Sequence, residues 1–403
     1  MNHLKDHDII CLALPSWEGE YLKATVALVR PLSEENRLLY VDYPRTWTDI
    51  LKGCLGKIKV PFSRVFGLKN RVTRPDENNN LWLLTLPPVF PVRFLPKGRI
   101  YRWAQSLNAL IIARTIIKAK AELGMERPVV INAFQPGLGL AMMGRLDEQI
   151  TAYYCYDNIS AADWCSKHGP SDEHEYLPKV DFVITTSEAL WEEKERRSLQ
   201  CFLIQNGVDY PLFSKVKRSQ HHRLAQTGFD AVLGYVGCID TRIDWQLIKT
   251  IAQENQNWRI DMIGPVVYPE VQEQLSTCLN VRFLGSAKQS ELPDLMSDFD
   301  LGIIPFVENP FTKFIYPMKV NEYLAAGLPV VMTPFAEISA LKDAVTVAPA
   351  DHRFIPAISQ ALASDNETEQ NTRKVFAQQN SWDARSRQLS KILATYSDAY
   401  RAA

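Results

Sequence analysis

No stretch of the 403-residue chain comes near the roughly 18 consecutive apolar residues that a helical bilayer span requires. The seven cysteines (positions 11, 54, 155, 165, 201, 238 and 278) are odd in number, scattered and free of any CxxC pair. That argues against a disulfide framework and for a reducing, cytoplasmic setting. Cys11, Cys201 and Cys238 lie in or beside apolar runs, where a free thiol behaves as a small hydrophobe. The N-terminus shows no signal-peptide pattern, because Lys5, Asp6 and Asp8 precede a short apolar run that Pro15 ends, which reads as a strand. Fixed-period repeats are missing, and the asparagine run at 78–80 is the one hint of low complexity.

What is present is an ordinary globular composition, 46% hydrophobic and 23% charged, enough to build real cores. The length predicts two domains of roughly 150–200 residues each. The net charge of −1 conceals an asymmetry: positions 45–120 hold 15 Lys or Arg against Asp49, Asp76 and Glu77, a local +12 that leaves −13 elsewhere. The same window interleaves its cations with Trp47, Phe62, Phe66, Phe90, Phe94 and Trp103, as a surface bound at an interface would. Nucleic acid is the other meaning of a basic patch. The acidity of the remaining chain and the absence of a nucleic-acid motif disfavour it, so no nucleic-acid partner is expected.

In chain order, 9–14 reads as a buried strand, 15–20 as a turn, 21–30 as helix and 38–42 as a second strand ending at Asp42. This is the β–loop–α–β opening of a parallel sheet. Positions 45–80 read as irregular. Strand-like runs follow at 81–86, 129–132, 151–156, 182–186 and 201–204, with a proline-rich loop at 89–96 and a long helix over 99–123 stopped by Gly124. Asn206-Gly-Val-Asp209 is a turn by composition, and 209–228 reads as a linker. A second series of strands is predicted at 231–236, 259–263, 281–284, 299–304, 328–332 and 345–347. Gly237, Gly264 and Gly285 end the first three, where backbone can approach a ligand closely. Beyond Asp351 the chain is helical, broken at Ser381-Trp-Asp383. The expected fold is α/β, with two Rossmann-like, doubly wound parallel-sheet domains at 1–208 and 229–383 and a C-terminal helix, 384–403, packing back on the first. Ligands of such sheets bind beyond the carboxyl ends of the strands, here in a cleft that the two domains would face.

One stretch stands apart: Tyr316-Pro-Met-Lys-Val-Asn-Glu-Tyr-Leu-Ala-Ala-Gly-Leu-Pro-Val-Val331. It predicts a short helix, a stop and a buried strand. Pro317 suits a first helical position, Gly327 a left-handed cap, and Pro329 blocks continuation. Lys319 and Glu322, three apart, share a helix face. A cation in the first turn opposes the helix dipole. An anion bound at that terminus would resolve the conflict; a plain ion pair with Glu322 in solvent is the alternative.

Six pieces occur in order: Asp181-Phe-Val-Ile-Thr-Thr-Ser187, Gln205-Asn-Gly-Val-Asp209, Tyr235-Val-Gly237, Val281-Arg-Phe-Leu-Gly285, Asp300-Leu-Gly-Ile-Ile-Pro305, and Lys319-Val-Asn-Glu-Tyr-Leu-Ala-Ala-Gly-Leu-Pro-Val-Val331. The series resembles the GT-B glycosyltransferases of the family 4 kind, which use nucleotide sugars and retain anomeric configuration. The resemblance is good over about 150–335 and holds in outline elsewhere. It implies two Rossmann-like domains, with the donor held mainly by the second and no metal-binding Asp-x-Asp; none stands at a strand end here. No metal and no cofactor is therefore expected beyond a nucleotide-sugar co-substrate of UDP or GDP type. The resemblance makes Glu322 the carboxylate that bonds the donor ribose, a role that suits a group able to accept two hydrogen bonds from a vicinal diol. It also sets Gly285 and the residues Ser286 to Lys288 against the base.

Departures accompany the match. Where the family often has a first glutamate, eight residues before the second, this chain has Phe314. The Arg and Lys that usually clamp the diphosphate, one and six residues after Gly237, fall on Cys238 and Ile243. A diphosphate leaving group without a metal needs cations. The expected replacements are Arg242 and Lys319, then Lys313 with its neighbour Thr312. An ion pair with Asp240 or Asp244 is the alternative use of Arg242. In the first domain the Gly-rich turn shrinks to Trp17-Glu-Gly19-Glu20, so Trp17 and Glu20 either touch the donor phosphate or the acceptor, or form a simple turn. Asp157, at a strand end, either orients the acceptor hydroxyl or caps a helix. With Lys319 and Glu322 it makes up the expected catalytic set. His168 and His174 read as polar surface, and His221-His222 as linker.

The function expected is retaining, metal-independent transfer of a sugar from a nucleotide-sugar donor to a polysaccharide or lipid-linked glycan. The enzyme would be peripheral on the inner face of the cell membrane, meeting anionic lipid through 45–120. Two alternatives share the fold: a nucleotide-sugar 2-epimerase and a non-catalytic donor-binding partner subunit.

Overall fold

Strands buried from end to end form the centre of each half of the chain. In the computed structural model, which describes residues 3–18, 23–75, 80–161, 165–217 and 228–402, every residue of β1 (Asp8–Ala13) is buried. Such strands belong to parallel sheets covered on both faces. The first sheet continues with β2 (Arg37–Val41), β3 (Val72–Thr73), β4 (Leu81–Leu84), β5 (Val129–Ala133), β6 (Ile150–Cys155), β7 (Phe182–Thr185) and β8 (Cys201–Leu203). Its order is β3-β4-β2-β1-β5-β6-β7-β8, with β3 antiparallel and the other pairs parallel. The chain reverses its direction of build between β1 and β5, the switch point of a doubly wound sheet.

The second sheet comprises β9 (Ala231–Val236), β10 (Trp258–Ile263), β11 (Val281–Gly285), β12 (Leu301–Ile304), β13 (Val330–Met332) and β14 (Thr346–Val347), ordered β11-β10-β9-β12-β13-β14 and wholly parallel. Its switch point lies between β9 and β12. A separate apolar core surrounds each sheet.

The chain divides into two compact units, 1–205 with 386–403, and 206–385. The stretch expected as a linker is, over its described part, built into the second unit. Asp209 caps the short helix Tyr210–Phe213 through a bond from Leu212 N–H, and Phe213 and Val216 join that unit's core. The helix Trp382–Ala402 supplies its first residues to the second unit and, from Ser386 on, belongs to the first. There Ser390 Oγ accepts from Leu4 N–H at 3.0 Å and the Tyr396 ring lies 4.6 Å from Phe182. Positions 45–80 are not irregular as expected, since they contain the helices Trp47–Cys54 and Phe62–Val65. Thr46 and Asp49 cap the first reciprocally, Thr46 N–H donating to Asp49 Oδ2 at 2.8 Å. This is a capping box with aspartate in the glutamate position.

Candidate functional site

The helix Met318–Ala325 follows the loop that leaves β12 and leads into β13. Pro317 stands at its N-cap, one position before the place expected for it, and the turn has no side-chain cap and no acidic residue. The far end matches the sequence reading. Gly327 adopts φ +75°, its N–H bonds Leu324 O, and Leu328 N–H bonds Tyr323 O at 2.9 Å. That pair of bonds is a Schellman motif and stops the helix sharply. Two contacts anchor the helix: Val236 N–H, in β9, donates to Tyr323 Oη at 2.7 Å, and Asn321 Nδ2 donates to Asn206 O, in the loop after β8, at 2.9 Å.

This anchoring lodges Lys319 at the switch point of the second sheet. Its Nζ lies 4.6 Å from the centre of the Tyr235 ring, next to the end of β9, and 4.5 Å from that of Phe306, two residues beyond β12. It donates to Tyr235 Oη at 3.2 Å. Aromatic faces attract a cation but do not neutralise it. Burial, reinforced by the Arg242 charge, lowers the proton affinity of Lys319 to a pKa of about 7. Glu322, on the same helix face, is raised to about 7 by burial, with Lys319 opposing the shift. The two make no ion pair within 4 Å, and Glu322 has no hydrogen-bond partner among the described residues. The solvent pair considered from spacing is therefore not what forms. An ammonium and a carboxylate sit side by side, each half-buried and without an opposite charge in contact.

Backbone closes in on the same place. Gly237 has φ +143°, and a Cβ there would stand 2.9 Å from Lys319 Nζ. Gly264 has φ +146°, and a Cβ there would fall 1.9 Å from Gly237 O. Gly264 N–H donates to Gly285 O at 2.8 Å, so the three strand-end glycines run along one carboxyl edge. The close approach these glycines permit is between neighbouring strand ends and around the lysine, where approach to a ligand had been expected.

Residues 231–364 match the family Glycosyl transferases group 1. The match lies within the second unit, which is similar to that family over this stretch. Over 232 residues the chain is 29% identical to TuaH of Bacillus subtilis (strain 168), described as a teichuronic acid biosynthesis glycosyltransferase; the match covers 55% of this chain and 58% of TuaH. Solved structures share the whole fold at low identity. Sucrose-phosphate synthase from Thermosynechococcus elongatus superimposes with a TM-score of 0.69 at 15% identity, covering 98% of this chain and all of that one. Anabaena HepE in complex with UDP and glucose gives 0.65 at 14% identity, covering 96% of this chain and 99% of that one. The two-sheet architecture is thus GT-B.

Within the second unit, the residues predicted for the donor are only partly gathered. Gly237, Arg242, Lys319 and Glu322 converge. Arg242, however, is engaged by Asp240, with Nε to Oδ1 at 2.8 Å and NH2 to Oδ2 at 2.5 Å, and its guanidinium lies over Phe306. Two residues of separation make that chelate easy to form, and the ion-pair alternative is what the structure holds. Thr312 is fully buried, and its hydroxyl donates to Val307 O at 2.6 Å and accepts from Asn309 N–H at 3.1 Å. It shapes a loop, in contrast to the donor role expected of it. Lys313 is exposed on the following 3-10 turn. Gly285 ends β11 and Lys288 follows it, both exposed, the latter's N–H donating to Glu291 Oε2 at 2.8 Å. Tyr235 and Phe306, which frame the lysine, escaped sequence reading because their apolar surroundings mark them as core.

In the first unit Trp17 organises a turn. Its N–H donates to Asp42 Oδ1 at 2.8 Å and its ring packs edge-on to Tyr40 at 5.1 Å. Glu20 lies outside the described residues. Asp157 follows β6, half-buried, its Oδ1 accepting from Asn158 N–H at 2.8 Å in a turn where a helix cap had been one expectation. His168 is not surface, as expected, but 6% exposed and stacked on Tyr101. Both line a pocket of about 750 Å³. Tyr101 and His168 are far apart in sequence, and no local pattern announces their meeting.

Proposed function

We propose that the protein is a glycosyltransferase that moves a sugar from a nucleotide-sugar donor, of UDP or GDP type, to a glycan acceptor with retention and without a metal. The observation that carries this reading is the Lys319–Glu322 pair at the switch point of the second unit. A nucleoside diphosphate supplies what each lacks. Its phosphates would hold the Lys319 ammonium charged, and its ribose diol would donate to the Glu322 carboxylate. Charge develops on the diphosphate as the glycosidic bond breaks, so a cation already in place and poorly hydrated lowers the barrier without reorganisation. Arg242, neutralised by Asp240, adds no net charge here and would reach the diphosphate only by leaving that pair. Gly285 and Lys288 are assigned to the base side. Asp157 is assigned to positioning of the acceptor hydroxyl, since retaining transfer does not demand a dedicated base.

The relative's role in teichuronic acid biosynthesis supports a cell-surface polysaccharide or lipid-linked glycan as acceptor. An anionic membrane is the proposed surface on which it is met. Trp47, Leu51, Leu55, Phe66, Leu68, Phe94, Ile100 and Trp103 are all exposed within the +12 window, a mixture suited to headgroup depth. No helix among the described residues is long and apolar enough to cross a membrane.

A panel of UDP- and GDP-sugars in equilibrium binding tests the donor assignment. Lys319→Ala and Glu322→Ala should each lose at least about tenfold in affinity, as expected for one charge-assisted contact. Unchanged binding in both removes the proposal. Interconversion of the donor sugar without acceptor would identify an epimerase instead.

A further inference from the structure

Lys319 has a second cation beside it at the switch point of the second sheet. The Arg242 guanidinium lies 5.4 Å from the centre of the same Phe306 ring that Lys319 Nζ approaches to 4.5 Å. Its donors are occupied by Asp240. Nε donates to Oδ1 at 2.8 Å and to Oδ2 at 3.1 Å, and NH2 donates to Oδ2 at 2.5 Å. The Arg242 backbone N–H adds a bond to Oδ1 at 3.0 Å. The two side chains are only 24% and 20% exposed, so water competes weakly for either. A guanidinium pairs with a phosphate in the same bidentate geometry as with a carboxylate, so Asp240 fills the fork that a phosphate would fill.

The backbone around the pair is held independently of it. On one side lies Ile239, fully buried, whose N–H donates to Pro265 O and whose O accepts from Val267 N–H, both at 2.9 Å. On the other, Val307 N–H donates to Arg242 O and Asp244 N–H to Pro305 O, both at 2.8 Å. Parting Asp240 from Arg242 therefore requires side-chain rotation and leaves the loop in place.

We propose that Asp240 is a positioning residue that holds Arg242 off the anion site beside Lys319 until a diphosphate displaces it, the guanidinium then exchanging carboxylate for phosphate. This rests on the glycosyltransferase reading only in taking that diphosphate to be part of the donor or of the nucleoside diphosphate product. Binding is weakened by the fraction of molecules in which Arg242 is still paired. The reverse exchange hastens departure of the product, since affinity differences of this kind appear mainly in the dissociation rate.

The test is calorimetric titration of the full chain with UDP, GDP and inorganic pyrophosphate. Asp240→Asn keeps an Oδ1 for the Arg242 N–H, and so the turn, but removes the charge that holds the guanidinium. It should bind pyrophosphate and the preferred nucleoside diphosphate at least about fivefold more tightly than the native chain. Asp240→Glu, which restores a carboxylate, should return affinity towards the native value. Asp240→Asn combined with Arg242→Ala should lose the gain. In the native chain the Arg242 Nε–H signal, identified by its absence in Arg242→Lys, should shift on adding the nucleoside diphosphate and stay in place with the nucleoside alone. If Asp240→Asn fails to fold, that signal decides the matter by itself. Unchanged or weaker binding in a folded Asp240→Asn, a gain that persists without Arg242, or a signal that does not move overturns the inference. Tightening for pyrophosphate with no binding of any nucleoside diphosphate strikes at the proposed function and leaves the exchange standing. Nucleotide binding that needs Lys319 but ignores Asp240→Asn does the reverse, and no binding of any of the three ligands by any variant overturns both.

Discussion

At the scale of single residues, Lys319 and Glu322 connect function to pH. Glu322 is raised from 4.5 to about 7, so the folded chain binds the extra proton between those values and stability is lost as pH rises through them. Lys319 is lowered from 10.5 to about 7, so the unfolded chain holds more protons above 7 and stability is regained as pH climbs towards 10.5. Glu322 is least favourable above pH 7 and Lys319 below it, so their sum is least favourable near pH 7. Thermal melts at that pH should show Lys319→Met and Glu322→Gln to be more stable than the native chain by on the order of a few degrees, while binding donor poorly. Donor binding favours the ammonium and the carboxylate. Calorimetry in buffers of differing ionisation enthalpy should therefore register proton release near pH 6 and proton uptake near pH 8. A proton balance that keeps one sign across this range would contradict the assignment of both groups to the donor. The glycines are testable separately. Gly264→Ala drives a methyl into Gly237 O and should cost at least about 2 kcal/mol. Gly237→Ala, crowding Lys319, should weaken donor binding as well.

At the scale of elements, a helix end written in local chemistry was legible and a helix start was less so. Gly327 and Pro329 state where the helix Met318–Ala325 must stop, because the left-handed cap and the missing N–H are properties of those residues. Pro317 fits an N-cap or a first turn equally well, and packing chose the former. The helix Trp47–Cys54 sets Trp47, Ile50, Leu51 and Cys54 on one face at helical spacing, a signal that the reading of 45–80 as irregular passed over, and Trp47 and Leu51 of that face are exposed. That exposure is the basis of a prediction: Trp47→Glu combined with Leu51→Glu should abolish co-sedimentation with anionic vesicles at low salt without altering donor affinity. Retained sedimentation would exclude this helix as the contact. The donor site was half legible for a similar reason. The Glu322 and Lys319 positions are set by a contiguous motif, but the Arg242–Asp240 chelate depends on which neighbour a guanidinium meets first.

At the scale of the whole molecule, buried polar groups hold the first unit together. Lys194 and Glu173 are buried and paired at 2.7 Å, with Tyr153 Oη donating to the same carboxylate at 2.8 Å. Lys194→Met should destabilise by about 3–5 kcal/mol in denaturant melts, because it leaves Glu173 buried without its cation. Since each sheet has its own core, a UDP-sugar should slow amide exchange chiefly across 231–364.

The sequence by itself determined two parallel sheets, their strand-end glycines, the stop at Gly327 and the glycosyltransferase resemblance over about 150–335, because periodicity, caps and motifs act over a few residues. Only the tertiary structure decided that Lys319 lies between Tyr235 and Phe306 with Glu322 unpaired beside it, that Thr312 serves its loop, and that His168 is buried against Tyr101. Those facts depend on contacts between residues tens of positions apart, and burial and proton affinity are properties of such contacts and not of any stretch of chain.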